Sequence, residues 1–345
     1  MIRFFLALLA TAISVSAAPN IILIYTDDQG FGDASCLNPE ARFQTPNLDK
    51  LATEGIAFTN AHSADTVCTP SRYALLTGRY CWRTTKKTGV MGAEGACLIK
   101  DGRLTIPSML RDSGYRTAMV GKWHLGMDFP GESHKDRDWT QPVKDMPLDK
   151  GFDYFYGIPA SLNYGVLAWF EGRHAKVPPT VFTNKKPNRR HVDYRIMPPY
   201  EDTPAATKKA IGKLGMEVAP DFIDNQCLTR FTDKAIEWMG ANKSELKPFF
   251  LYLPYTSPHY PVCPLPEFHV SATSTRAATA CHSSSAGRAG SKLRGGSPTP
   301  SSARAISWRP SQKSAGRNCR MTAARTARVL RHYSRIRRAA TNGHH

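Results

Sequence analysis

Along the chain, short unbroken apolar runs end in charged or turn-forming residues, and several of the stretches between them carry apolar residues at helical spacing. Ile21-Ile22-Leu23-Ile24-Tyr25-Thr26, entered from Asn20, predicts a strand buried on both faces, because no polar residue alternates with the apolar ones. The run ends in two adjacent carboxylates, Asp27 and Asp28, and the loop Gln29-Gly30-Phe31-Gly32-Asp33. Thr45-Pro46-Asn47-Leu48-Asp49-Lys50-Leu51-Ala52 predicts a helix with an Asn or Asp cap. Residues 56–61 predict a second strand, which delivers the chain to Cys68. Small and turn-forming residues at 69–71 predict a sharp bend into a helix, placing Cys68 just ahead of its N-terminus.

Further on, residues 106–113 predict a helix and residues 116–120 a strand, with Lys122 and His124 emerging at its end. Residues 128–221 read as irregular, rich in proline and aromatics, with a basic run at 185–191. Residues 222–239 predict a helix that contains Asp224-Asn225, a pair to which no role is assigned. Residues 247–255 predict another buried strand, followed by Ser257-Pro258-His259.

Charge changes this picture only at one end. The net charge of +18 suggests an anionic partner such as nucleic acid or a membrane surface. Residues 268–345, however, hold 15 of the 46 Lys/Arg and none of the 28 Asp/Glu, so the preceding chain carries 31 cations against 28 carboxylates. The body is nearly neutral. The last stretch is rich in Ser, Ala, Arg, Thr, Gly and Pro with few large apolar residues, the composition of a disordered basic tail.

At the other end, residues 1–18 have the form of an export signal: Arg3, an apolar run, then small residues at 16–18. Twelve or so apolar residues are too few to span a bilayer. The expected location is periplasmic or secreted, with no membrane span. Export permits disulfides among the eight cysteines, but their spacings assign no pairing and match no zinc site.

Three places carry candidate chemistry. Adjacent acids at a strand end either hold a cation between them or cap a turn. Lys122 and His124, two residues apart, share one pocket if the chain stays extended; the bland reading is a solvated lysine and a surface histidine. Cys68, with Pro70 and Arg72 after it and the turn Leu75-Leu76-Thr77-Gly78 closing the segment, is hard to explain as packing alone.

The string Cys68-Thr69-Pro70-Ser71-Arg72 resembles the signature of the type I sulfatases, members of the alkaline-phosphatase-like superfamily. The resemblance extends to Thr45-Pro46-Asn47-Leu48-Asp49, to Gly121-Lys122-Trp123-His124, to Gly151-Phe152-Asp153-Tyr154-Phe155-Tyr156-Gly157 and to Ser257-Pro258-His259. It implies an α/β fold, a large mixed, mostly parallel sheet flanked by helices, over residues 19–268. It implies a sulfuric ester hydrolase in which Cys68, converted to formylglycine (3-oxoalanine) by a formylglycine-generating enzyme, is the nucleophile as its hydrate. Arg72 would hold that hydrate and His124 would hydrogen-bond it. Lys122 would bind a sulfate oxygen, and His259 would assist the leaving group. Asp27, Asp28 and residue 68 would bind Ca²⁺ or Mg²⁺, and Arg72, Lys122, His124 and His259 would form a positive cradle. The substrate would be a sulfated small molecule or carbohydrate. A phosphodiesterase or phosphonate monoester hydrolase of the same superfamily is the nearest alternative.

The resemblance breaks off near residue 268. A sulfatase would continue to a strand ending in Asp-Asn-Gly or Asp-His-Gly, to a second sulfate-binding lysine and to a small sheet; no carboxylate follows Glu267 here. The preferred reading of residues 269–345 is a frame-shifted sulfatase sequence, ahead of a nucleic-acid-binding arm. A hard cation takes about 6 to 8 oxygen ligands, so weak metal binding and an inactive, truncated product are the corresponding expectation.

Overall fold

A computed structural model describes residues 18–132, 136–183, 216–243 and 247–265. These group into two compact units, residues 18–27 with 62–263 and residues 28–61 with 264–265. The leader-like residues 1–17, the basic run at 185–191 and the whole tail beyond 268 lie outside the described residues.

In the first unit the apolar runs become a sheet. Its elements in chain order are β1 (Ile21–Asp27), β2 (Arg116–Lys122), β3 (Tyr154–Ile158), β4 (Val166–Leu167), β5 (Phe170–Glu171), β6 (His174–Ala175), β7 (Val181–Thr183), β8 (Met216–Val218) and β9 (Phe249–Pro258). Six strands form one sheet in the order β1-β9-β2-β3-β5-β6, and β4-β8-β7 form a second, small one. The pairs β1/β9, β9/β2 and β2/β3 are parallel, while β3/β5 and β5/β6 are antiparallel. The fold is therefore α/β with a mixed, mostly parallel sheet. Residues 128–221, read as irregular, in fact supply β3 to β8; most of these strands are two or three residues long, too short to show a period.

With α1 assigned to Pro46–Glu54 in the second unit, the helices of the first are α2 (Cys68–Thr77), α3 (Ile106–Asp112) and α4 (Cys227–Asn242). α4 buries Cys227, Phe231 and Ala235, spaced four apart on one face. Phe231 meets Trp169 edge-on at 6.1 Å, and Trp169 lies 4.5 Å from Phe222. Phe152 stacks near both Phe250 and Tyr252 of β9, at 6.4 and 6.2 Å. Asp224 and Asn225 sit in a buried 3₁₀ turn ahead of α4 rather than inside it. Asp224 accepts from the Asn225 amide at 2.7 Å, so the pair starts the helix instead of interrupting it.

β1 corrects an expectation. Its burial alternates, with Ile22 40% and Ile24 55% exposed. Among the described residues β1 is the outer strand, paired only with β9, so one face lacks a covering layer and its isoleucines remain in solvent.

The strands approach most closely where Lys122 leaves β2. Gly121 has φ +141°, and a Cβ there would lie 2.0 Å from the Pro254 carbonyl oxygen of β9. A Cβ on Gly157 of β3 would lie 1.9 Å from the Gly121 carbonyl oxygen. Backbone blocks both, so neither neighbour can move aside cheaply. Gly121→Ala is expected to cost at least about 2 kcal/mol, combining left-handed strain with strand separation; urea unfolding followed by circular dichroism measures it, and a loss below about 0.5 kcal/mol would contradict this packing.

In the second unit, α1 is held by a polar network. Asp49 accepts from Ser35 Oγ at 2.7 Å and from the Cys36 amide at 2.9 Å, while the Ser35 amide donates to Thr45 Oγ1 at 2.9 Å. Thr45, not Asn or Asp, is the N-cap residue, and its side chain makes no capping bond. Its hydroxyl instead donates to Asp49 Oδ1 at 3.0 Å. Residues 56–61 form no strand, and Ile56 and Phe58 are exposed. Apolar content alone suggested a strand there; no partner strand meets it among the described residues, so the ladder has nothing to pair with.

Candidate active site

β1, β9 and β2 lie side by side and run parallel, so their carboxyl ends open together on one edge of the sheet. Ligands of open α/β sheets gather at such an edge. Asp27 is the last residue of β1, Lys122 the last of β2, and His259 follows β9 directly. Three residues far apart in sequence thus reach one place by topology.

α2 brings the rest. Val67 is its N-cap in extended conformation and Cys68 its first residue, one position further in than the sequence suggested. Pro70 falls in the first turn, where its missing N–H costs nothing. The turn is pinned from the side: Thr69 Oγ1 donates to the His124 carbonyl at 2.9 Å and accepts from the Met91 amide at 3.0 Å. Ser71 Oγ donates to the Asp65 carbonyl at 2.8 Å. Cys68 and Arg72 stand four apart and so share one face of the helix.

Arg72 is fully buried. Its Nη1 donates to the Lys122 carbonyl at 2.8 Å, its Nη2 lies 3.5 Å from Asp27 Oδ2, and its guanidinium stands over the Tyr25 ring at 5.4 Å. The Nε of Arg72 has no partner among the described residues. Lys122, also fully buried, donates its Nζ to Asp27 Oδ2. One carboxylate therefore faces two permanent or near-permanent cations, and the excess positive charge suits an oxyanion.

The ionisation shifts follow from that arrangement. Burial pushes the Asp27 carboxyl up, but Lys122, Arg72 and His259 together hold it below the usual carboxylate range. Burial and the neighbouring Arg72 push Lys122 below its usual value, partly offset by Asp27. The Cys68 thiol is raised, mainly by burial and further by Asp27, against the pull of Lys122 and Arg72. Unmodified, it is a protonated thiol at neutral pH and a poor nucleophile.

His124 differs from its expected part. Its φ is +62°, so the chain does not stay extended past Lys122. Its Nε2 lies 2.9 Å from the Met91 carbonyl, which makes that nitrogen the donor, and its Nδ1 has no partner among the described residues. Burial, with Lys122 and Arg72 nearby, holds the imidazole well below its usual pKa. His124 thus enters the site as a neutral acceptor rather than as part of a positive cradle. Its ring meets Tyr164 edge-on at 5.1 Å. His259 Nδ1 is hydrogen-bonded to the Tyr260 carbonyl.

Asp28 is exposed, has φ +63° and belongs to the second unit. The contributions of Thr69, Tyr25, Tyr164 and the Met91 carbonyl were not foreseen. Thr69 lies inside the recognised string and was legible in principle; a backbone carbonyl carries no residue signature.

The sulfatase family model matches residues 19–309. The chain belongs to the sulfatase family. The match passes residue 268, where the composition changes. The chain is 31% identical over 270 residues to an N-acetylgalactosamine-6-O-sulfatase of Bacteroides thetaiotaomicron, covering 73% of this chain and 50% of that protein. It is 31% identical over 259 residues to human arylsulfatase A, covering 75% and 45% respectively. A solved sulfatase structure from work on the metabolism of multiple glycosaminoglycans by Bacteroides thetaiotaomicron superposes with a TM-score of 0.58 at 31% identity, over 73% of this chain and 54% of that one. The sulfatase chain described here spans about half the length of the curated relatives it matches.

Membership in the sulfatase family implies, in general, a metal cofactor and a formylglycine. Among the described residues the donors do not make up a divalent ion's shell. Asp27 is already engaged by Lys122 and Arg72, and among the described residues no three His, Cys, Asp or Glu side chains converge as a metal site. Position 68 does fit the modified residue, being half-buried at the helix start beside two cations, with the unpartnered Nδ1 of His124 to accept from a hydroxyl. The six described cysteines, Cys36, Cys68, Cys81, Cys97, Cys227 and Cys263, are all free thiols. No helix among the described residues is long and apolar enough to cross a membrane.

Proposed function

We propose that this protein hydrolyses sulfate monoesters, on a sulfated carbohydrate or aryl ester, with residue 68 as nucleophile. The observation that carries the reading is the buried pairing of one carboxylate, Asp27, with two cations, Lys122 and Arg72, beside the first turn of α2. The N-acetylgalactosamine-6-O-sulfatase relative supports a sulfated sugar as the substrate class. Maturation replaces the C–S bond of Cys68 by C=O, takes two electrons from Cβ and releases sulfide; a formylglycine-generating enzyme and its oxidant supply that step. Export, proposed from the first 18 residues, would place mature protein in the periplasm or outside the cell.

As the hydrate, residue 68 supplies one hydroxyl to attack sulfur and a second whose loss of a proton releases sulfate. Arg72, one turn along α2, holds the residue-68 oxygen with its fixed donors. Lys122 donates to a sulfate oxygen and balances charge that grows in the transition state. The neutral Nδ1 of His124 accepts from a hydroxyl of residue 68. His259, whose Nδ1 donates to the Tyr260 carbonyl, gives a proton from Nε2 to the leaving alcohol oxygen.

The test is turnover of an aryl sulfate beside an aryl phosphodiester by chain co-produced with a formylglycine-generating enzyme, with mass spectrometry of the peptide containing residue 68. Aldehyde at that position and preference for the sulfate ester are expected. Aldehyde with preference for the phosphodiester would move the protein to the phosphodiesterase reading, and an aldehyde-bearing chain that cleaves neither ester would sink both.

A further inference from the structure

Beside the cluster just described, a cavity of about 720 Å³ is bordered by six cations, Arg79, Arg83, Lys86, Lys87, Lys100 and Arg103, and by no Asp or Glu. None of the six forms an ion pair among the described residues. The Nε of Arg79 is buried and has no hydrogen-bond partner among them either. A buried guanidinium nitrogen left unsatisfied is costly unless something accepts from it. The hydroxyl-bearing Thr84 and Thr85 also border the space. This is a surface suited to an oxyanion, and no carboxylate lines it among the described residues.

The cavity's position says which oxyanion. It is bordered by Met91, whose amide is bonded to Thr69 in the first turn of α2 and whose carbonyl is bonded to His124. It is also bordered by Arg79, just past Gly78, which caps the far end of α2. A ten-residue helix is about 15 Å long, so a group held at Arg79 lies too far from residue 68 to belong to a simple aryl sulfate. It is within reach of the next units of an oligosaccharide.

We propose that this basic cavity binds a second, non-reacting anionic group, sulfate or carboxylate, on the molecule whose sulfate ester is cleaved. Resting on the sulfatase reading above, this makes the preferred substrate a polyanionic oligosaccharide rather than a monosulfated ester. Six like charges around one space raise the local concentration of such a chain before any sugar is recognised.

The test is calorimetric titration of the full chain with a chondroitin sulfate tetrasaccharide, with N-acetylgalactosamine 6-sulfate and with inorganic sulfate. Three proteins are compared: wild type, R83Q/K100Q/R103Q, and the control R331Q/R335Q/R337Q, which removes equal charge from the basic tail. Losing three exposed ion pairs is expected to weaken tetrasaccharide binding about tenfold in the cavity variant. The control variant should stay within about twofold of wild type, as should binding of the monosulfated sugar by every variant.

Equal weakening in cavity and control variants would reduce the effect to general charge and overturn the proposal, as would no weakening in the cavity variant. If inorganic sulfate alone occupies the cavity and loses affinity as steeply as the tetrasaccharide, the site serves a free anion and the substrate claim fails. A melting curve checks the fold of the triple variant; should it unfold, Lys100→Gln alone, at an exposed position, must still weaken the tetrasaccharide about threefold, beyond the control's tolerance. These readouts need no turnover, so failure of the aryl sulfate assay would leave them standing, and their failure would leave the nucleophile assignment standing.

Discussion

Lys122→Met is expected to destabilise the protein by about 3–5 kcal/mol at pH 7, because it leaves a buried carboxylate without its closest cation. Methionine nearly fills the space of the lysine stem, so a lost cavity adds little, and the cost is chiefly that of Asp27. Arg72 Nη2, at 3.5 Å, stays beside Asp27 and offsets part of the loss, which holds the cost to the lower end of that range. The pH dependence distinguishes this cause from a packing defect. In the wild type the folded Asp27 carboxyl lies below its ordinary 3.8, so its contribution is present above that value and disappears as pH falls through the depressed one. In the variant burial prevails and the carboxyl titrates upward, so protonation relieves the penalty, and the difference between the two proteins should shrink from pH 7 to pH 4. Urea unfolding at both values measures it. A difference that is the same at pH 7 and pH 4, or below about 1 kcal/mol at pH 7, would mean that the pair is not buried as described.

Cys68→Ala is expected to lower turnover of an aryl sulfate by at least about 10⁴-fold while leaving the melting temperature within a few degrees. The thiol is only half-buried, and α2 is anchored by Thr69, Ser71 and Arg72 rather than by residue 68. Loss of activity without loss of fold would therefore assign chemistry, not packing, to the position. Retention of turnover in the alanine variant would remove residue 68 from the mechanism and point to the neighbouring His124 or His259 for the attacking group.

How far the chain's pattern carried can be judged at particular places. α2, α3, β2 and β9 fall close to where apolar runs, Ser/Pro and capping residues put them, because the signals that set them are local. α3 even carries its own reciprocal cap, with Thr105 Oγ1 accepting from the Ser108 amide at 3.1 Å. Residues 56–61 and β1 went wrong for the opposite reason. Whether an apolar run becomes a ladder, and whether both its faces are covered, depends on neighbours that the run does not encode. Asp224-Asn225 looked interior to a helix from periodicity, yet a one-residue polar bond turned it into the helix's entrance. The short strands β4 to β7 hold too few residues for any alternation to register.

The amino-acid sequence by itself determined the family, the order of the main elements and the shared helical face of Cys68 and Arg72, all properties set by backbone geometry within a few residues. Tertiary structure alone decided that Asp27 meets Lys122, 95 positions away and on the far side of β9, that His124 gives its Nε2 to a carbonyl and stays neutral, and that six cations from residues 79 to 103 face one space. The physical reason is that charge and burial act through distance in space, and parallel strands reach their neighbours only through crossovers whose course no local period records.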